Sequence, residues 1–570
     1  MGKALYLRAF CKKRRSGLFW ANNNYDRWTN DNYDNIQVED DVSQAVNPGT
    51  QYVEPDFNYT NSSGQRAISC PRDLEDFARL WVSGISSNVL ANLPTGSTVT
   101  LSWQNGNGVT IDLFQAADAD GGIGYLTNLA TASNQLAPSL YVGRLGPGQS
   151  IQLNASTFSN SWAGNHYIWC GVFPGSDQLN LTITDSSGNT LAQSVQYIQI
   201  QDIKQMYERW TVGDISGNPN GTFPAVAPMS NAVPAEDNFS PGYPNQYFTY
   251  SYDQATDTND NYILFVHGYN LESWQKDRFA ETAFKRLYWQ GYQGRFGSFR
   301  WPTYPAGELF DDSERQAWLS GAGLLNLLGT LNSNYPGKVY LLAHSLGNVV
   351  AGEALRLAGA KQVVNTYVAS QAALSARAYD NTIPSDATNY YTPISPDSIG
   401  HYYTNTSPPY FNGIAAAGTF VNFINTNDWA LMGDNLFTGH PGWLEIQQGK
   451  LLLTTQPMSP SNPQEYWYTT PSSNHPSGYY FQNGPITPYR NLLFPNDTFE
   501  IFSEAAQSYS LALGAESTIP VGFARSVNLF GAPYNFGPTH YGHSLEFRSD
   551  NMTTAVYWHE LLFFGFNIQP

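Results

Sequence analysis

From residue 261 onwards, short apolar runs alternate with amphipathic stretches, and this alternation constrains the fold of the chain more than any other feature. The runs YILFV, KVYLLA and QVVNTYVA have the character of buried strands, and the segments between them have the apolar spacing of helices. Strands that are apolar on both faces and alternate with helices predict a parallel sheet covered by helices on both sides. GRFGSFRW, AAAGTFVNFIN and RSVNLF add further strands, and TTAVYWHELLFFGF predicts a closing helix.

An earlier part of the chain, residues 98–202, has a different period. Short strand-like runs are separated there by turn sequences such as GPG, PGSD and DSSGN. TVTLSW and VTIDLF flank the dipeptide Asn105-Gly106, which favours the positive φ angles of a tight hairpin turn. Short strands at regular spacing predict an antiparallel β-sandwich that accompanies the α/β unit.

Composition marks the boundaries between these regions. Residues 210–250 are rich in Gly, Pro, Asn and Ser, which is typical of a linker. We therefore divide the chain into an N-terminal segment rich in Asn, Asp and Tyr (1–70), a β-sandwich-like accessory domain (71–210), a linker (211–250) and an α/β domain (251–570). The α/β domain contains two insertions (378–415 and 433–510).

The N-terminal segment contains one weak candidate for a metal site. Asn30, Asn32, Asp34 and Asp41 supply oxygen atoms of the kind that calcium prefers. The segment lacks the glycine and the closing glutamate of a calcium-binding loop, so a plain polar loop is the favoured interpretation. We expect no cofactor, and a structural calcium ion is the one metal that the sequence leaves open.

Charge and hydropathy argue against two classes of partner. The chain has 28 Lys and Arg against 46 Asp and Glu, and the resulting net charge of -18 repels nucleic-acid phosphate and anionic lipid headgroups. No apolar run reaches the ~18 residues of a membrane span. Charged residues make up only 13% of the chain. Such a composition, rich in Asn and Tyr, favours an extracellular or cell-surface protein, although the first residues lack the apolar run of a secretory signal.

The three cysteines say little about the compartment. Cys11, Cys70 and Cys170 are too few for a disulfide scaffold and include no CxxC pair. A bridge between Cys70 and Cys170 stays open, but buried free thiols are the favoured interpretation.

The chemistry of the chain is concentrated where KVYLLA runs through Ser345 directly into the helix LGNVVAGEALRLAG. A turn from strand through serine into helix is so tight that the residues two before and two after the serine must be small, and Ala343 and Gly347 meet that requirement. Such a nucleophile elbow lifts the serine above the carboxyl end of the sheet, with a helix N-terminus behind it. The pattern indicates Ser345 as a nucleophile, and an N-capping serine on an ordinary turn is the alternative.

The segment AHSLG at 343–347 resembles the elbow of bacterial true lipases and related esterases of the α/β-hydrolase superfamily. The dipeptide His267-Gly268, at the end of an earlier strand, is similar to the oxyanion motif of that superfamily. The resemblance covers the chain from about residue 261 to the C-terminus. It implies that the backbone N–H groups of Tyr269 and Leu346 form an oxyanion hole, which stabilises the negative charge that acyl transfer builds on the carbonyl oxygen.

In the fold that this resemblance implies, the catalytic base lies between the last strand and the final helix. THYGHSLEF occupies that place and contains two histidines. His543 is the first candidate because a glycine before it lets the loop turn, and because its context GHSxxF resembles the His loop of the superfamily. His540, His475 and His559 are the alternatives.

The third member of such a triad is an acid that orients the imidazole and supports its positive charge. In the superfamily it lies on a loop after one of the later strands. TFVNFINTNDWAL places Asp428 just beyond such a strand. Asp434, further along the same loop, and Asp380, after the preceding strand, are the alternatives.

The two insertions, 378–415 and 433–510, are rich in Tyr, Trp and Phe. Insertions at these places form the lid in the superfamily, and their rings either contact substrate or bury the loops themselves. No helical, aliphatic lid is evident, so we expect short-chain, aromatic or polymeric esters rather than long-chain triacylglycerols. His267, His344 and Tyr269 are further candidates for the pocket, but packing and hydrogen bonding around the elbow is the favoured role of the two histidines.

These observations predict a serine hydrolase that cleaves small-molecule or polymeric carboxylic esters through Ser345, His543 and Asp428. An amidase or peptidase with the same triad is the alternative within catalysis, because these residues do not distinguish an ester from an amide. A binding or adhesion protein on a hydrolase scaffold is the alternative outside catalysis. Such proteins usually lose the serine or the histidine, and both are present here.

Overall fold

The computed structural model describes four long stretches and several short ones: residues 66–212, 261–380, 411–431 and 512–569 with short gaps, and 6–10, 18–21, 457–459, 462–467, 479–481 and 487–488. The candidate calcium loop, all but the first two residues of the predicted linker, and most of both insertions lie outside the described residues. Within these stretches, no helix combines the length and the apolar character needed to cross a membrane.

Two sheets occupy the first part of the chain. Their strands are β1 (Tyr6–Phe10), β2 (Leu18–Trp20), β3 (Phe77–Ser83), β4 (Thr98–Trp103), β5 (Thr110–Gln115), β6 (Tyr141–Leu145), β7 (Ser150–Leu153), β8 (His166–Phe173), β9 (Gly175–Thr184) and β10 (Thr190–Gln201). One sheet has the order β1-β3-β8-β5-β6 and the other β2-β10-β9-β4-β7; the pairs are antiparallel, and β2 runs parallel to β10. Buried side chains of both sheets, such as Leu80 and Leu101, belong to one hydrophobic cluster. A sandwich of the two sheets remains our prediction.

The short helices of this part are α1 (Ser87–Ala91), α2 (Gly124–Thr127) and α3 (Leu129–Gln135). The N-terminal ends of α1 and α3 are capped by side-chain oxygens, because Ser86 accepts a hydrogen bond from the N–H of Val89 and Asn128 accepts one from the N–H of Thr131. These helices lie in the connections of the two sheets and contribute no strand.

The hairpin predicted around Asn105-Gly106 is wrong. β4 pairs with β7 and β9, whereas β5 pairs with β6 and β8, so the two strands lie in different sheets. The carboxylate of Asp177 accepts hydrogen bonds from the backbone N–H groups of Asn105 and Asn107 at 3.1 and 3.2 Å, which holds the connection between the sheets. Turn residues favour a reversal, but the choice of partner strand depends on which faces are buried, and that choice is not local.

Cys70 and Cys170 are free thiols, so the bridge that the sequence left open is not formed. Cys170 is buried, as the favoured interpretation expected, and burial raises the pKa of its thiol well above the usual range. Cys70 is half-buried.

The second part of the chain forms a seven-stranded sheet, and every pair of neighbouring strands in it is parallel. This confirms the predicted parallel sheet. Its strands are β11 (Glu208–Thr211), β12 (Tyr262–Val266), β13 (Arg295–Arg300), β14 (Val339–His344), β15 (Val364–Ser370), β16 (Ala417–Ile424) and β21 (Arg525–Asn528). A separate small sheet consists of β17 (Pro457–Ser459), β18 (Asn462–Trp467), β19 (Tyr479–Phe481) and β20 (Thr487–Pro488). The seven-stranded order is β11-β13-β12-β14-β15-β16-β21. The edge strand β11 therefore lies where the predicted accessory domain meets the predicted linker, and its last residue is the first residue of that linker.

Helices cover both faces of this sheet: α4 (Ser273–Trp289), α5 (Phe310–Asn334), α6 (Gly347–Ala358), α7 (Leu545–Arg548) and α8 (Asn551–Glu560). Alternate residues of a central strand enter two separate cores, because Ile263 lies in one hydrophobic cluster and Leu264 in the other. α4 and α8 contribute to the first cluster, and α5 and α6 to the second. The predicted closing helix is α8, which continues as the π-helical turn Leu561–Gly565.

Buried charged side chains connect the turn that precedes β3 to the helices of the second part. The side chains of Glu75 and Arg286 form an ion pair of 2.9 Å, and both are 0% exposed. Arg286 also donates a hydrogen bond to the carbonyl oxygen of Glu546, and Arg72 donates one to that of Phe547 at 2.8 Å. The N-terminal region therefore contacts α7, the helix that follows the predicted catalytic base.

Candidate active site

The strand β14 ends at His344 and α6 begins at Gly347, so the turn between them consists of Ser345 and one further residue. Ser345 has a φ of +52°, a left-handed backbone conformation that residues other than glycine rarely adopt. Its N–H donates to the carbonyl oxygen of Ser370 at 3.0 Å, and its carbonyl oxygen accepts from the N–H of Ala373 at 3.1 Å. Such strain persists only where the surroundings hold it, and it is the conformation of a nucleophile elbow.

Two glycines permit this turn because another strand end lies against it. A Cβ atom on Gly347 would lie 2.4 Å from the carbonyl oxygen of His267, and a Cβ atom on Gly268 would lie 2.9 Å from the Cβ atom of Ser345. Both distances are too short for real Cβ contacts. The small residue that the sequence pattern required at 347 therefore makes room for the end of β12.

The structure brings Ser345, His543 and Asp428 together from three distant parts of the chain. The Ser345 Oγ atom lies 2.9 Å from Nε2 of His543, and Nδ1 of His543 lies 2.8 Å from Oδ2 of Asp428. The carboxylate of Asp428 is 0% exposed, and its Oδ1 accepts a hydrogen bond from the N–H of Ala430 at 2.9 Å. The three side chains form a continuous hydrogen-bonded chain from hydroxyl to carboxylate.

The alternative candidates that the structure describes lie elsewhere or make other contacts. Asp380 accepts a hydrogen bond from the N–H of Val521 at 2.9 Å. His559 is exposed on α8, and its ring packs at a tilt against that of Phe563, with the ring centroids 4.5 Å apart. His540 begins the 3-10 turn that carries His543. His475 and Asp434 lie outside the described residues.

The two histidines next to the elbow make internal contacts. The ring of His267 is 0% exposed and stacks on that of Trp301, its Nδ1 donates to the carbonyl oxygen of Gly268 at 2.7 Å, and its Nε2 accepts from the N–H of Trp301 at 3.2 Å. His344 is 3% exposed, and its Nε2 donates to the carbonyl oxygen of His543 at 2.9 Å. Burial lowers the pKa of both rings well below the usual range. Both therefore have the packing role that the sequence analysis favoured, and the hydrogen bond from His344 holds the segment of the predicted base.

The two predicted oxyanion donors flank the serine. Leu346 is the N-cap residue of α6, and among the described residues its N–H has no hydrogen-bond acceptor. Tyr269 follows Gly268, whose Cβ position is 3.4 Å from the Ser345 Oγ atom, so the backbone before Tyr269 adjoins the serine side chain. Both segments therefore adjoin Ser345, and the assignment of their N–H groups to an oxyanion hole remains a prediction.

Two aromatic residues of the first insertion are described, and both pack into the core. Tyr379 and Phe411 are 2% and 1% exposed, with ring centroids 5.1 Å apart. Tyr379 also packs edge-on against Phe420 of β16 and against Phe523. These two rings bury the ends of the insertion and do not face a substrate.

Glu546 is a buried carboxyl group that the sequence analysis missed. It lies in α7, one helical turn after His543, and is 0% exposed. Its Oε1 accepts a hydrogen bond from the Ser370 hydroxyl at 3.2 Å and lies 3.8 Å from Nε2 of His344. Burial, reinforced by the nearby carboxylate of Asp428, raises the pKa of Glu546 to about 8. A pKa raised in this way favours the protonated form of the group at neutral pH.

Glu546 makes the stability of the protein depend on pH. The unfolded chain loses this proton near pH 4.5 and the folded chain near pH 8, so stability falls as the pH rises through that window. Glu546→Gln keeps the shape and has no proton to lose. We expect it to gain stability over the wild type between pH 5 and pH 8, by roughly 4 kcal/mol at 1.36 kcal/mol per pKa unit.

Urea unfolding of both proteins at pH 5, 6.5 and 8 measures this difference. Glu560→Gln, at a half-buried position on α8, is the matched control and should follow the wild type at each pH. If the difference between Glu546→Gln and the wild type did not change with pH, Glu546 would not carry the proton.

Gln371 is a second residue that the sequence analysis missed. It directly follows β15 at the edge of the sheet where Ser345 stands, and its side chain contacts Asp428. The available signal was a polar residue immediately after an apolar strand, because the carboxyl ends of parallel strands share one edge. Within the described stretches, no group of His, Cys, Asp and Glu side chains could hold a metal ion.

A comparison with known protein families agrees with the parallel, helix-covered sheet of the second part of the chain. Residues 250–380 match a family model described as an alpha/beta hydrolase of unknown function (DUF900), and the matched range includes the elbow at Ser345. No curated protein gives a significant match to the chain. By its parallel sheet and by this match, the second part of the chain has the fold of an α/β hydrolase.

Proposed function

We propose that the protein is a serine hydrolase that cleaves carboxylic esters through a covalent acyl-enzyme. The observation that carries the proposal is the hydrogen-bonded chain from the Ser345 hydroxyl through His543 to Asp428, with distances of 2.9 and 2.8 Å. A hydroxyl is a weak nucleophile unless a base takes its proton, and an imidazole needs a third group to hold its orientation. All three groups are in hydrogen-bonding contact.

Acylation begins when Ser345 Oγ attacks the ester carbonyl carbon while Nε2 of His543 takes the hydroxyl proton. The resulting imidazolium donates from Nδ1 to Asp428, whose buried carboxylate offsets its positive charge. The oxyanion accepts hydrogen bonds from the N–H groups of Leu346 and Tyr269. His543 then gives its proton to the leaving alkoxide, and the alcohol departs.

Deacylation repeats these steps with water in place of the serine. His543 takes a proton from the water, which attacks the acyl carbonyl, and the base returns the proton to Ser345 as the carboxylic acid leaves. The aromatic composition of the insertions supports short-chain, aromatic or polymeric esters as substrates.

A fluorophosphonate probe tests the proposal directly, because it labels only an activated serine. We expect the wild type and His540→Ala to be labelled on the peptide that contains Ser345, and His543→Ala to be labelled at least 100-fold more slowly, since positioned general bases contribute about 10²–10⁴-fold. Nitrophenyl esters and nitroanilides of the same acyl groups then separate an esterase from an amidase. A wild type that takes up no label would overturn the serine-hydrolase proposal and favour a binding protein.

A further inference from the structure

We propose that Gln371 is a positioning residue that aligns the acid and the base of the triad, an inference that rests on the function proposed above. Its side-chain nitrogen donates one hydrogen bond to Oδ2 of Asp428 and a second to the carbonyl oxygen of Gly542, each at 2.8 Å. Gly542 immediately precedes His543. A single amide group therefore ties the acid to the segment that carries the base.

The orientation of this amide is not ambiguous. Both of its neighbours, a carboxylate oxygen and a carbonyl oxygen, accept hydrogen bonds and cannot donate them. The nitrogen of Gln371 must therefore face Asp428 and Gly542. Its Oε1 is buried and, among the described residues, has no hydrogen-bond partner. A buried oxygen without a donor destabilises a fold, so general polar packing does not account for this side chain, whereas its two N–H donors do.

The carboxylate of Asp428 depends on this donor. Its Oδ2 accepts both from Gln371 and from Nδ1 of His543 at 2.8 Å, and its Oδ1 accepts from the N–H of Ala430 at 2.9 Å. Because the group is 0% exposed, bulk water does not replace a donor that is removed. The loss of the Gln371 amide would leave the carboxylate with two hydrogen bonds instead of three, and would leave the Gly542 carbonyl oxygen without this partner.

The backbone holds Gln371 in place for this role. The residue has a φ of +43°, a left-handed conformation. Its N–H donates to the carbonyl oxygen of Phe423 at 2.8 Å, and a Cβ atom on Gly514 would lie 2.3 Å from the carbonyl carbon of Gln371. A strained residue held by close backbone contacts on two sides has little freedom to move. The amide therefore reaches the acid in a preorganised position.

Gln371→Met removes both donors and keeps the length of the side chain. We expect kcat for a nitrophenyl ester to fall about 10- to 100-fold, because a displacement of about 1 Å at the reacting groups costs this much in rate. KM should change less than threefold, since Gln371 does not touch substrate. The rate of fluorophosphonate labelling at Ser345 should fall by the same factor as kcat.

Asn422→Leu is the matched control. Asn422 lies on the neighbouring strand β16, is 0% exposed, donates its amide to the carbonyl oxygen of Leu513 at 2.9 Å, and has an amide oxygen that is also unpaired among the described residues. Its replacement removes a buried amide of the same kind without a contact to the triad. We expect a similar loss of thermal stability in the two variants and a loss of kcat in Gln371→Met alone.

Gln371→Glu supplies a second test that leaves no cavity. Its carboxyl group keeps the shape of the glutamine, donates one hydrogen bond when protonated, and repels Asp428 when ionised. We therefore expect its kcat, relative to the wild type, to recover by at least fivefold as the pH is lowered from 9 to 6. A ratio that did not depend on pH would contradict the contact between residue 371 and Asp428 on which the positioning role rests.

A readout without turnover separates this proposal from the proposed function. The proton between His543 and Asp428 gives a downfield NMR signal, and we expect it to shift or to broaden in Gln371→Met but not in Asn422→Leu. A kcat within twofold of the Asn422→Leu control, together with an unchanged signal, would overturn the positioning role while the serine hydrolase stands. An unlabelled wild type would instead overturn the hydrolase, and the NMR comparison would still decide whether Gln371 aligns the pair.

Discussion

Ser345→Ala is expected to lower kcat for a nitrophenyl ester by about 10⁶-fold, the loss typical of a triad without its nucleophile. In the proposed mechanism the oxygen of this hydroxyl forms the acyl-enzyme, and no other side chain in the described part of the chain stands in hydrogen-bonding contact with Nε2 of His543. The residue is 5% exposed and its side chain is small, so the fold should tolerate the change. Steady-state kinetics and a thermal melt measure both effects.

Members of a triad act as a unit, so the losses of rate in single and double variants should not multiply. His543→Ala alone should lose nearly as much rate as Ser345→Ala, and the double variant should lose no more than either single one. His540→Ala should keep at least half of the wild-type kcat, because His543 makes the contacts with Ser345 and Asp428. Losses that multiply in the double variant would mean that the serine and the histidine work independently, which contradicts the triad.

Arg286→Met is expected to lower the free energy of unfolding by about 3–5 kcal/mol, the typical loss when one partner of a buried ion pair is removed. Arg286 is 0% exposed and holds both oxygens of Glu75, at 2.9 and 3.2 Å. It also donates to the Thr554 hydroxyl at 2.9 Å and to the carbonyl oxygen of Glu546. The substitution leaves a buried carboxylate without its cation. Urea unfolding followed by circular dichroism measures the change.

The same pair allows the charge to be separated from the packing. Glu75→Met combined with Arg286→Met removes both charges, so the double variant should regain at least half of the lost stability. Arg525→Met is the control, because Arg525 and Glu560 form an ion pair of 2.9 Å whose side chains are 35% and 19% exposed. Such a pair contributes about 0–1 kcal/mol. An Arg286→Met protein as stable as Arg525→Met would show that the link between the N-terminal turn and α4 does not stabilise the fold.

The central features of the second part of the chain could be predicted because their signals are local. The nucleophile elbow needs a strand, a serine between small residues and a helix, all within one stretch of sequence, and Ser345 lies in that context. The parallel sheet follows from strands that are apolar on both faces. The resemblance to the superfamily predicts His543 and Asp428 from their positions after the later strands. In the structure, His543 lies in hydrogen-bonding contact with both Ser345 and Asp428.

Contacts between distant residues could not be predicted in this way. The turn sequence at Asn105-Gly106 predicts a hairpin, but β4 and β5 joined different sheets because each pairs with strands that bury its side chains. Gln371 reads as an ordinary polar residue after a strand, and its role depends on a carbonyl oxygen 171 positions away. Glu546 reads as a helix surface residue, yet it is 0% exposed and its pKa is raised to about 8.

The sequence by itself determined where the serine stands, because the elbow is a local structure in which steric limits act between neighbouring residues. It also determined that the second part of the chain forms a parallel sheet between helices, because hydrophobic periodicity reports the faces that must be buried. Only the tertiary structure decided what surrounds the serine. The protonation of Glu546 and the donors around Asp428 depend on burial and on hydrogen bonds between residues that are distant in the sequence, since both are set by the groups that the fold brings within a few ångströms.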